Sequence, residues 1–485
     1  MSTFASVSDD FAYRSAIDTA AAIARREVSS RELLDAAVAR IASLDGPINA
    51  VVALDVERAR SWAAAADAAV VGGDALGPLH GVPITVKDTF STAGLVTTSG
   101  APELAAYVPD ADADPVARYK GAGAIVFGKT NTPLWAADVQ TYNDVYGTTT
   151  NPFHVDHTPG GSSGGSGAAL AAGFSPLELG SDIAGSIRIP SHWSGVCGHK
   201  PSYGIVSARG QIPGMPGTLT QADLAVVGPM ARDVADLELA LDLLVGPDAW
   251  QAPGWSVQLP PARCADARGL RVAVWIDEPS CPIDARYAAL LRGAADALAA
   301  AGARVDHTAR PAFTFDKAVD TFLHLVSAAE AGGWTLPELD AMAASTEPPE
   351  GDLFIGHASL RHREWLGWNE RRLQQRARWR TFFESWDVCL LPVAPTAAIA
   401  HDHTVPITRR TVVVNGETRR YADLIRWVGL TGVCLLPATV VPIGMVDGLP
   451  VGVQIAGPYL EDRTTLAVGR MLEEALGGFR RPPGF

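Results

Sequence analysis

Short apolar runs closed off by glycine or proline alternate along this chain with stretches in which apolar residues recur every third or fourth position. The runs at 83–86, 124–127, 270–276, 388–391, 435–441 and 451–455 are predicted to be buried strands, being brief, rich in Val, Ile and Leu, and flanked by turn residues. Between them the helical period dominates. Its clearest case opens at Ser29 and Glu32, which have capping-box spacing, and continues with Leu33, Leu34, Ala37, Val38 and Ile41 on one face. Val28 and Leu33 are placed to form a hydrophobic staple. Strands separated by helices predict an α/β fold in which helices cover both faces of a sheet. The alanine-rich stretch at 63–69 reads as helix surface rather than low complexity.

A length of 485 residues suggests about three domains at first sight. No internal repeat and no Ser/Gly-rich linker divides the chain, which favours a single unit. Composition shifts once, over 313–386, where Trp334, Trp365, Trp368, Trp379 and Trp386 accumulate with many arginines in a helical pattern. Two readings stay open there: an amphipathic layer with arginines facing water, or a cap whose aromatic residues line a pocket entry.

A formal charge of −14 leaves no global positive field for a nucleic-acid backbone, so nucleic acid is not an expected partner. No apolar run is long enough to span a bilayer, and residues 1–20 lack a basic region followed by an apolar one. The expectation is a cytoplasmic protein with no membrane contact. Five cysteines without Cys-x-x-Cys spacing read as reduced, buried thiols.

The candidate chemistry lies in two serine-bearing segments and a lysine. Only five of the 39 basic residues are lysines (87, 120, 129, 200 and 317), which sets Lys87 apart inside its apolar run. A serine hydroxyl needs a base, and a lysine kept neutral by burial is an alternative to histidine. Competing readings fit less well. The 160–167 segment lacks the lysine of a phosphate-binding loop, having Ser166 after Gly165. Gly161-Ser162-Ser163-Gly164-Gly165 contains Gly-x-Ser-x-Gly centred on Ser163, yet the residues before it make a poor buried strand. Ser-x-x-Lys and His-Glu-x-x-His are absent. The pairs His154/His157 and His401/His403 read as solvated loop histidines, so neither a metal nor a cofactor is expected.

Pro159-Gly160-Gly161-Ser162-Ser163-Gly164-Gly165-Ser166, followed by Gly180-Ser181-Asp182-Ile183-Ala184-Gly185-Ser186-Ile187-Arg188-Ile189-Pro190 and Gly195-Val196-Cys197-Gly198-His199-Lys200-Pro201, resembles the amidase signature family. Flanking pieces at 81–88, 128–133, 226–232 and 449–457 agree. The resemblance implies one amidase signature domain over 1–485, α/β with a mixed sheet covered by helices on both faces. Its signature core would span about 75–235, and the tryptophan-rich helical elaboration about 313–386.

It also implies catalytic roles: Ser186 as nucleophile, Ser162 as a bridging serine after a cis peptide, and Lys87 as base, with Lys129 the alternative base. The backbone N–H groups of Ile183, Ala184, Gly185 and Ser186 would form the oxyanion hole. Ser163, Asp182 and Arg188 would be polar supports around them, with Ser163 and Ser181 holding neighbouring loops. Family members commonly have glycine where this chain has Ala184, and the glutamine-hydrolysing amidotransferase subunits generally carry glutamine where it has Ile189.

The implied function is therefore a serine hydrolase that cleaves amide C–N bonds through an acyl-enzyme. Bulky apolar aryl or alkyl amides are the favoured substrates, with esters and carbamates (urethanes) as side substrates, as in aryl acylamidase and urethanase relatives. The 210–217 loop suggests an apolar pocket rim. Two alternatives are a glutamine-hydrolysing subunit of a tRNA-dependent amidotransferase and a non-catalytic small-molecule-binding protein on the same scaffold. Dimers are common among such enzymes, and no segment marks a homodimer interface.

Overall fold

In the computed structural model residues 9–212, 215–333, 335–344 and 357–485 are described. Trp334 and, in the 210–217 loop, Pro213 and Gly214 lie outside them. A mixed eight-stranded sheet forms the centre, in the spatial order Arg304–Asp306, Arg271–Val274, Val388–Leu391, Leu449–Ala456, Ala438–Val446, Cys197–Lys200, Val226–Ala231 and Leu177–Asp182. The first three strands are mutually parallel and the rest pair antiparallel. Helices Val234–Leu244, Ala285–Ala300 and Asp462–Leu476 pack together as one covering layer, and Gly164–Ala171 with Arg188–Ser194 form another. The expected α/β architecture with helices on both faces is what the chain adopts.

A second, three-stranded sheet orders Val51–Leu54, Ile125–Thr130 and Pro83–Lys87, the last two parallel. Its Pro83–Lys87 edge runs beside Leu177–Asp182, the edge of the large sheet, without a backbone ladder between them. Both strands are buried along their whole length. Lys87 and the serine segments meet at this seam.

The opening helix is Ser30–Leu44, capped by the Ser29/Glu32 box, with Val28 and Leu33 in one apolar cluster. Among the described residues of 313–386 the α-helices are Phe315–Glu330, Leu336–Ala344 and His362–Ser385. Trp379 is fully buried and packs on Phe313, Phe382 and Phe383, and Trp386 is buried beside Phe382. These two rings are core, whereas Trp365 and Trp368 are half-buried against it. A cavity of about 540 Å³ opens between Phe315–Glu330 and the 417–426 segment; Val319, Leu323, Arg419 and Arg420 line it, and the described tryptophans do not.

Candidate active site

Lys87 ends its strand fully buried, donating to Ser162 Oγ at 2.7 Å and to Ser181 Oγ at 3.0 Å. Burial removes the water that would stabilise an ammonium and the Asp182 charge opposes this only in part, so the Lys87 pKa is drawn down to about 7. The free amine is therefore well populated at neutral pH. Lys129 is equally buried, but its Nζ donates to Phe90 O and to Thr92 Oγ1 (3.0 Å), not to either serine.

Ser162 follows a cis Gly161–Ser162 peptide. A Cβ on Gly161 would stand 2.6 Å from the Asp138 carbonyl oxygen, so only glycine lets these two backbones approach so closely. One residue on, the Ser163 N–H donates to the Ser186 carbonyl at 3.1 Å and fastens the two serine turns together. Ser186 is 8% exposed, and its hydroxyl makes no hydrogen bond among the described residues.

Beneath the Ser186 turn lies Asp182, fully buried, its carboxylate accepting from the N–H groups of Gly185 (2.9 Å) and Ile187 (3.2 Å) and from Arg188 Nε and Nη2. Burial is the largest influence and works against its charge, yet Arg188, Lys200 and the Gly185 N–H together outweigh it and hold the carboxyl down at about 2. Arg188 completes its bonding through Nη1 to Val428 O, Thr431 Oγ1 and Gln454 Oε1, each at 2.7 Å. Each nitrogen of this guanidinium bonds within the chain and the side chain has no solvent exposure, so burial closes it to a substrate carboxylate.

The expected set of oxyanion donors needs one correction. Gly185 leaves it, because its N–H points down to Asp182 and not outward. The N–H groups of Ile183, Ala184 and Ser186 have no acceptor among the described residues, and Ile183 and Ala184 are only half-buried. Gly185 takes φ +104°, a conformation that favours glycine, whereas Ala184 keeps a negative φ. The methyl of Ala184 is thus accommodated where the resemblance led one to expect glycine.

Ser181, expected only to hold a neighbouring loop, is a direct partner of Lys87. The histidines take no part in these contacts. His192, on the helix after Ser186, accepts from Gly452 N–H at 2.7 Å and its other ring nitrogen lies 3.0 Å from Thr396 O. Burial drives its pKa down to about 4. His154 and His157 meet through ring nitrogens 3.0 Å apart, and among the described residues no three metal-binding side chains gather.

With this geometry in hand, comparison with known proteins settles the family. A family model described as Amidase matches residues 32–466. The chain belongs to the amidase signature family. Among its relatives is a glutamyl-tRNA(Gln) amidotransferase subunit of Roseiflexus sp., 33% identical over 96% of this chain and 97% of that protein. Among solved structures, a bacterial aryl acylamidase of the amidase signature family superposes with a TM-score of 0.81 at 25% identity, covering 96% of both chains. A 6-aminohexanoate cyclic dimer hydrolase gives 0.78 at 28%, covering 97% and 99%. This amidase signature protein is accordingly a hydrolase of the C–N amide class, with the shared architecture spanning nearly its whole length.

Proposed function

We propose that this amidase signature protein is a free-standing amidase that cleaves uncharged, apolar aryl or alkyl amides, with ester and carbamate hydrolysis as side activities. The observation that carries the reading is the 2.7 Å hydrogen bond from fully buried Lys87 to Ser162. Lys87, as free amine, draws the Ser162 proton, and Ser162 in turn draws that of Ser186 as its oxygen attacks the carbonyl carbon. Rotation of the Ser186 hydroxyl toward Ser162 closes the relay when substrate is bound; such bonds tighten in the reacting complex. The oxyanion is received by N–H groups of Ile183, Ala184 and Ser186, donors typically worth about 3 to 4 kcal/mol each. Ser162 then returns a proton to the leaving nitrogen, and water enters by the same route to release the acid. Asp182 and Arg188 hold the turn rigid from below.

Preference for an uncharged substrate follows from the charges at the site. Lys87 is in good part neutral, and Asp182 and Arg188 neutralise each other in burial. A charged substrate end would thus meet no counter-ion from these groups. The amidotransferase reading is favoured by the 33% identity to the Roseiflexus protein over 96% of the chain. It asks for recognition of the charged α-groups of glutamine, which Arg188 does not supply.

The test is release of nitroaniline from acylated nitroanilides by the parent and by Ser186→Ala and Lys87→Ala, beside ammonia release from glutamine. Both variants are expected to lose at least about 1,000-fold in kcat/KM. Parent-like turnover by Ser186→Ala, or a parent that hydrolyses glutamine and no anilide, would reject the proposal.

A further inference from the structure

The strand bearing Lys87 and the strand leading to Ser186 are edges of two different sheets, and side chains do what a backbone ladder does elsewhere. The principal bridge is Glu178, a carboxyl with no solvent exposure, set between Leu177 and Leu179 in the Leu177–Asp182 strand. One of its oxygens accepts from the Thr85 hydroxyl and the other from the Thr130 hydroxyl at 3.2 Å. Ser166 hydrogen bonds to Thr130 Oγ1 at 2.9 Å and so joins the same cluster. Ser175 adds a parallel tie, its Oγ accepting from the Thr85 N–H at 3.1 Å.

The places of these hydroxyls in the chain give the bridge its meaning. Thr85 stands two residues before Lys87, on the same face of the strand. Thr130 is the residue opposite Lys87 in the parallel ladder. Ser166 lies in the first turn of the helix Gly164–Ala171, which begins just after Ser162. One buried carboxyl therefore holds the strand that presents Lys87 and the neighbouring strand, and through Thr130 it reaches Ser166 on the helix that backs Ser162.

We propose that Glu178 is a positioning residue of the hydrolytic site, fixing Lys87 Nζ against Ser162 Oγ across the seam between the two sheets. This rests on the reading of Lys87, Ser162 and Ser186 as the relay. A polar group is costly in such a place unless fully bonded, and apolar residues would fill the seam without fixing its lateral register. Burial also pushes the Glu178 carboxyl up to about 7, so it is populated as a neutral acid that can both donate and accept. Displacement of a reacting group by about 1 Å can cost on the order of 100-fold in rate, which is the scale on which such a brace acts.

The experiment compares full-length parent, Glu178→Gln, which keeps hydrogen bonding, and Glu178→Met, which fills the space without it. For each, kcat and KM on an acylated nitroanilide and the rate of serine modification by a fluorophosphonate are measured per folded molecule, below the melting temperature. Glu178→Met is expected to lower kcat and the modification rate by about 10- to 100-fold with KM within about twofold, and Glu178→Gln to stay within about threefold of the parent. A mere packing role predicts a lower melting temperature with parent-like kcat per folded molecule, and that result would overturn the proposal. So would a Glu178→Gln variant as impaired as Glu178→Met. Should Glu178→Met fail to fold, Thr85→Val removes one tie at equal size, and an undiminished kcat there refutes the brace equally. Ser186→Ala run alongside separates the two ideas: if it remains active or is still modified, the relay itself is wrong; if it is inert while Glu178→Met works normally, only Glu178 is misassigned.

Discussion

Lys87 illustrates how one side chain acquires chemistry from its surroundings. An ordinary lysine has a pKa of about 10.4 and would be no base at neutral pH. Burial lowers that of Lys87 to about 7, so its free amine grows as pH rises through that value. The acid limb of kcat/KM on a neutral amide is accordingly expected near pH 7, with a plateau above it. Initial rates between about pH 5 and 9 check this, and a limb near about 10 would contradict a desolvated base. Lys87 was legible in the sequence because lysine is scarce and its neighbours are apolar. Ser181 and Glu178 were not: each lies in a strand whose partners come from distant sequence, and only the packing of two sheet edges gives them contacts with Lys87 or beside it. The Gly185 N–H was misjudged for a related reason, since the local string does not reveal that Asp182 lies beneath the turn.

At the scale of elements, helix Ser30–Leu44 was marked by local signals and formed where they placed it. Its capping box satisfies otherwise unpaired N–H groups, so Ser29→Ala is expected to cost about 1 kcal/mol, read as a shift in urea midpoint with kcat per folded molecule unchanged. Strand Val388–Leu391 coincides with its apolar run. The run at 435–441 instead yields Ala438–Val446, because Leu435 takes φ +63° in the turn before it. Strands Leu177–Asp182, Cys197–Lys200 and Val226–Ala231 escaped the apolar-run criterion. They carry glycine, charged residues or proline, and their order comes from ladders with each other and from buried polar partners. Two of the tryptophans of 313–386, Trp379 and Trp386, belong to the core; periodicity marks a buried face without saying what it is buried against.

Over the whole molecule, a single apolar cluster draws residues from Ala16 to Leu472, joining both ends of the chain to the large sheet. A single cooperative unfolding transition is expected, with far-ultraviolet circular dichroism and tryptophan fluorescence falling together; two separated transitions would divide the chain into independent units. Among the described residues no helix is long and apolar enough to cross a membrane. The family, the α/β alternation and the lysine and serines of the candidate site can be read along the chain alone, because those features are written in contiguous motifs and local periodicity. Tertiary structure alone decided which hydroxyls surround Lys87, which backbone donors stay free near Ser186, that Arg188 is closed to substrate, and that Glu178 bridges two sheets. Those properties depend on burial and on contacts between segments far apart in the chain, which no local pattern encodes.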